Sequence, residues 1–91
     1  MSFDVERRQH ERYYFPYTVE YLVNHHSDDQ IFKGIIVNIN DYGLCLCVSD
    51  PLCEGQEITI RSILPVTYQI ATVRWSKKVD TYYRVGLMRR G

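Results

Sequence analysis

The sequence predicts an all-β fold, a small six-stranded antiparallel β-barrel preceded by a flexible N-terminal arm. Three observations predict it. Several short stretches alternate apolar and polar residues with period two, and turn residues separate them every 8–12 positions or so. No stretch carries a helical period. Eight tyrosines stand among 91 residues, and tyrosine favours strands. A barrel is preferred to an open sheet because so small a sheet must hide its edges.

Residues 1–15 are polar, charged and without sustained period, and read as the arm; residues 16–91 read as one barrel domain. Pro16 opens a first strand to His25, with Val19, Tyr21 and Val23 alternating with polar neighbours. Ser27-Asp28-Asp29 is turn chemistry. In the second strand Ile31, Ile35, Val37 and Ile39 share one face, interrupted by Lys33, and Phe32, Gly34, Ile36 and Asn38 share the other. Asn40-Asp41-Tyr42-Gly43 is a tight turn in which asparagine and glycine can take positive φ. Leu44–Val48 is a third strand and the stretch around Ile58 and Ile60 a fourth. Pro65 breaks the chain, Val66–Trp75 is a fifth strand, Lys77–Asp80 a polar turn, and Tyr82–Met88 a sixth strand.

Eleven basic and eleven acidic residues leave the chain neutral, which argues against a general DNA or RNA binder. The charges are nevertheless sorted. Glu20 to Glu57 holds seven acids and one lysine, while Arg74 to Arg90 holds six basic residues and one acid. Arg7, Arg8 and Arg12 form a second basic cluster, and a fold that joins the two basic ends makes a local anion site. No apolar run approaches membrane-spanning length, the N-terminus does not read as a signal peptide, and three cysteines do not suit a disulfide scaffold. These features place the protein in the cytoplasm, away from membranes.

The arm contains Arg-x-x-x-Arg at Arg8 and Arg12, and the second strand ends in Asn38-Ile39-Asn40-Asp41-Tyr42-Gly43. Together, in this order, they resemble the two signatures of the PilZ domain family, an RxxxR arm and a [D/N]-x-S-x-x-G turn. The resemblance covers nearly the whole chain, taking in Glu54-Gly55, Ala71-Thr72-Val73-Arg74-Trp75 and Val85-Gly86-Leu87. It implies a receptor or adaptor for the bacterial second messenger cyclic di-GMP, with no catalysis and no cofactor beyond that ligand. Arg8 and Arg12 are then expected to grip guanine and phosphate, which arginine forks match. Arg7, just before the motif, is expected to influence whether one ligand or a stacked pair binds. Asn38, Asn40 and Gly43 form the opposing turn. The arm closes over the ligand and alters a surface read by a separate effector protein, in motility or biofilm control. The sequence departs from the family where Asn40 replaces serine, so the alternative is a PilZ-like interaction module that does not bind nucleotide. The ending Gly86-Leu87-Met88, where phenylalanine is usual, is expected to affect packing only.

Other constellations have plainer readings. Cys45 and Cys47 share a strand face with Cys53 nearby, but with His25 or His26 they fit no common zinc spacing. His25-His26-Ser27-Asp28 is a turn, since adjacent residues cannot form an oriented triad. Tyr13, Tyr14, Phe15 and Tyr17 anchor the arm or fill the core.

Overall fold

A computed structural model describes residues 17–25 and 30–90. The strands are β1 (Tyr17–Val23), β2 (Phe32–Ile39), β3 (Gly43–Val48), β4 (Glu57–Ile60), β5 (Ile70–Val79) and β6 (Tyr82–Arg89). All neighbours are antiparallel, and the sheet closes as β1-β2-β3-β6-β5-β4, with β4 returning to β1. The six-stranded barrel expected from alternation is therefore present. The proposed arm, residues 1–15 with Arg7, Arg8 and Arg12, lies outside the described residues.

Alternation builds the core. Leu44, Leu46 and Val48 of β3 point inward with Ile58 and Ile60 of β4 and Val85 and Leu87 of β6. Cys45 and Cys47 take the opposite face of β3. The second strand departs from simple alternation. Its buried residues are Gly34, Ile36 and Ile39, drawn from both faces of a regular strand, while Ile31 and Ile35 are exposed. A register shift between Ile36 and Asn38 is the reason: one extra residue resets the parity, so Ile36 and Ile39 both reach the core and Asn38 turns outward.

Other boundaries moved. β1 ends at Val23, and His25 takes a left-handed φ of 66°. The fifth strand begins at Ile70 rather than Val66, because Tyr68 turns into the core and ties the loop to the turn before β3. It also runs through Lys77 and Lys78, which sequence reading placed in a turn. They pair with Arg84 and Tyr83, and the reversal is the two residues Asp80-Thr81, with Asp80 at φ 62°.

The C-terminal end is fastened beneath β1. Glu57 accepts a hydrogen bond from Asn24 Nδ2 at 2.9 Å and pairs with Arg90. Asn24 Oδ1 in turn accepts from the Thr59 hydroxyl at 2.8 Å. The Asn24 bond, with help from Arg90 and His25 and against partial burial, holds the Glu57 carboxyl below the usual glutamate range.

Two outcomes are expected. Ile36→Ala, at 1% exposure, is predicted to cost about 2–5 kcal/mol in urea unfolding, whereas Ile35→Ala, at 43%, costs under about 1 kcal/mol; equal costs would contradict the shifted register. Because folded Glu57 is the stronger acid, protonation favours the unfolded chain. Its contribution is complete above the ordinary glutamate value of about 4.3 and is lost as pH falls below it. The gap in Tm between wild type and Glu57→Gln should therefore narrow between pH 6 and pH 3.

Candidate functional site

The shift in β2 has a consequence on the outer wall. Asn38 sits opposite Cys45, Cys45 opposite Gly86, and Gly86 opposite Trp75. These four residues form one lateral row across β2, β3, β6 and β5. With strands about 4.8 Å apart, Asn38 and Trp75 stand roughly 14 Å from one another. The two residues between them are small, so the row is a trough with an amide at one rim and an indole at the other. A Cβ on Gly86 would lie 2.1 Å from Trp75 Nε1, so glycine there lets the indole lie against the β6 backbone. Trp75 remains 47% exposed.

The trough opens into a groove of about 790 Å³. Arg74, Lys77, Lys78 and Arg84 line it together with the row and the turn residues Asn40 and Gly43. Among the described residues none of these four cations forms an ion pair. Arg74 donates to the Met88 sulfur, at 3.3 Å. The groove is thus basic and part aromatic, suited to a flat, anionic ligand.

The turn at its upper end is rigidly built. Asn40 Oδ1 accepts the backbone N–H groups of Tyr42 at 2.8 Å and Gly43 at 3.1 Å, an Asx turn. The Asn40 N–H donates to Gly43 O at 2.9 Å. A serine hydroxyl at this position is also able to accept such N–H groups, and asparagine has in addition an outward NH₂. From outside the turn, the Tyr68 hydroxyl donates to Asn40 O at 2.8 Å. Burial, reinforced by Asp41 and opposed by Arg89, pushes the Tyr68 phenol up to about 12, so it stays a donor across the neutral range. Arg89 donates to Tyr42 O through its backbone N–H and to Asp41 O through its guanidinium.

Gly43 is required for a different reason from the one its turn position suggests. Neither it nor Asn40 takes a positive φ; among the described residues His25, Gly55 and Asp80 do. Instead a Cβ at Gly43 would fall 2.2 Å from Leu87 O on the neighbouring strand β6.

Of the expected site residues, the structure brings Asn38, Asn40 and Gly43 together on one groove, and Arg7, Arg8 and Arg12 lie outside the described residues. Sequence reading did not single out Arg74, Trp75, Lys77, Lys78 and Arg84 as site residues. The basic bias after Arg74 was the available signal, and the β3–β6 pairing that turns it into a site is topological. Cys47, beside Arg84 in the next row, has its thiol pushed up by burial and by Cys45, against Arg84, which disfavours the nucleophilic thiolate.

The architecture is that of a small closed six-stranded antiparallel barrel with an Asx turn beside a basic groove. The sequence profile of the PilZ domain matches residues 6–89, and the chain belongs to the PilZ domain family. None of the curated proteins matches it. No helix among the described residues is long and apolar enough to cross a membrane.

Gly43→Ala is predicted to lower stability by about 1–3 kcal/mol in urea unfolding, since the Leu87 carbonyl belongs to backbone and cannot swing away. Tyr68→Phe should cost about 0.5–1.5 kcal/mol and speed amide exchange at Tyr42 and Gly43.

Proposed function

We propose that this PilZ domain is a signalling module that binds cyclic di-GMP in the groove beside the Asn38–Gly43 turn. The observation that carries the reading is the outer row of Asn38, Cys45, Gly86 and Trp75 flanked by four cations that, among the described residues, form no ion pair. Cyclic di-GMP offers two flat guanines and two phosphates. Trp75 supplies a stacking face for one base, and Asn38 supplies amide hydrogen bonds to a base edge. Arg84 and Lys77 neutralise phosphate. Arg8 and Arg12 close from the arm, with Arg7 adding a further contact, so the ligand bridges arm and barrel. A separate effector protein, in the cytoplasm, reads the closed arm. No bond is made or broken in this cycle.

The rival reading, an interaction module that has lost nucleotide binding at Asn40, finds no support in the local hydrogen bonds. Asn40 Oδ1 serves the turn's backbone N–H groups, and an accepting oxygen is what serine would offer them.

Calorimetric titration of the full chain with cyclic di-GMP tests the reading, and absence of saturable heat at micromolar protein would end it. Arg8→Ala and Arg12→Ala are each expected to weaken binding by about 1.5–3 kcal/mol, and Trp75→Ala by about 1–3 kcal/mol. Asn40→Ser should preserve affinity. Amide exchange before Arg12 should slow with ligand while β2 is unchanged; an arm equally protected in both states would refute closure.

A further inference from the structure

The barrel is closed, yet among the described residues one of its strands has an edge without a neighbour. On its β4 side, the ladder of β5 ends at Val73, whose N–H donates to Gln56 O and whose C=O accepts from Gly55 N–H. A register shift follows between Val73 and Trp75. From Trp75 to Val79, β5 pairs with β6 and, among the described residues, with nothing on its other side. β6 itself is covered on its far side by β3. Among the described residues, the outer half of the β5–β6 hairpin is thus a ribbon whose unpaired edge belongs to β5.

The register says which groups are free. Val79 and Tyr82 close a two-residue reversal, so they form a doubly hydrogen-bonded pair. Alternation then makes Lys77–Arg84 and Trp75–Gly86 hydrogen-bonded pairs too. Ser76 and Lys78 stand at the intervening positions, so their N–H and C=O groups point away from β6, along the open edge.

We propose that this edge accepts an acidic, extended segment of a partner protein as an added strand. Unpaired strand edges recruit extended chains through main-chain hydrogen bonds, and side chains choose among them. Here the choice is one of charge. Arg74, Lys77 and Lys78 lie on the edge strand, Arg84 faces Lys77 across the ribbon, and the single acid, Asp80, is at the tip. A second copy pairing edge to edge would set these cations against their own kind. An acidic strand meets opposite charge instead, while Trp75 and Val79 leave room for apolar residues between its acids. The inference does not depend on nucleotide binding: its main-chain hydrogen bonds come from Ser76 and Lys78 on the edge, although the side chains of Lys77 and Lys78 also line the groove.

The test is a titration of the ¹⁵N-labelled full chain with an N-acetylated, C-amidated octapeptide alternating glutamate and valine. The expected result is saturable shifts centred on Ser76 and Lys78, with slowed exchange at those two amides. Lys78→Pro removes an outward N–H without touching the β6 ladder, and should weaken binding at least ten-fold, as should Lys77→Glu with Lys78→Glu. Should the proline variant misfold, the peptide N-methylated at every residue answers the same question, since it keeps the charges and lacks the donors; it should not bind. Equal binding by the N-methylated peptide would overturn the proposal, as would Ser76 and Lys78 amides already protected in the free protein. Tighter binding of a poly-thymidine oligonucleotide to the same residues, or self-association through this edge, would overturn it likewise.

Discussion

Closing six short strands around one small core requires two extra residues, one in β2 and one in β5, and the outer surface depends on where they fall. A regular strand sends every second side chain inward, but a barrel so small must bend sharply, and a bulge supplies bend and twist together. In β2 the shift after Ile36 keeps Ile36 and Ile39 both in the core. In β5 the shift after Val73 keeps Ala71 and Val73 in the core and leaves Trp75 outward. Asn38 and Trp75 are the residues just past these two shifts, and they face each other across the same trough. What reconciles the chain with its core also assembles the candidate site.

The turn between β2 and β3 shows how little freedom the remaining site has. Asn40 engages its side-chain oxygen, its N–H and its C=O in four structural hydrogen bonds, two of them at the side-chain oxygen. Gly43 is confined by a carbonyl of β6, and Arg89 holds the turn from the end of the same strand. Such a turn presents its remaining donors without needing to order them on binding, which lowers the cost of recognition. In the proposed function the ordering cost falls on the arm alone, which is where a switch needs it.

How much of this was legible in the sequence follows from the same geometry. The number of strands was legible, because alternation and turn residues are local. The inward face of β2 was not, because Ile35-Ile36-Val37 is apolar throughout and a bulge in such a run leaves no mark. The end of β5 was missed because Lys77 and Lys78 look like turn residues, and only their pairing with β6 makes them strand. Asn38, Asn40 and Gly43 were legible as a motif, though the reason for Gly43 was not, since Leu87 is far off in sequence. Trp75 and the basic residues around it could not be assigned to the site without knowing that β6 lies between β3 and β5.

The electrostatics of the groove give these pieces a direction. Arg74, Lys77, Lys78 and Arg84 converge on one surface of a neutral protein, and among the described residues no carboxylate offsets them. Glu57, a partner that is well placed for a cation, is committed to Arg90 elsewhere on the barrel. Lys77 faces Arg84 across the ribbon and adjoins Lys78, so like charges stand side by side on this surface and repel. The folded state holds this repulsion because the strands that carry the cations also carry the core. An anion in the groove relieves it, and so does an acidic strand on the edge of β5. Ligand and partner therefore draw on overlapping charge, and Lys77 and Lys78 serve both. Two anionic partners sharing cations in this way compete electrostatically even where their contacts do not overlap. In the proposed reading, then, the nucleotide weakens the hold of the β5 edge on an acidic segment.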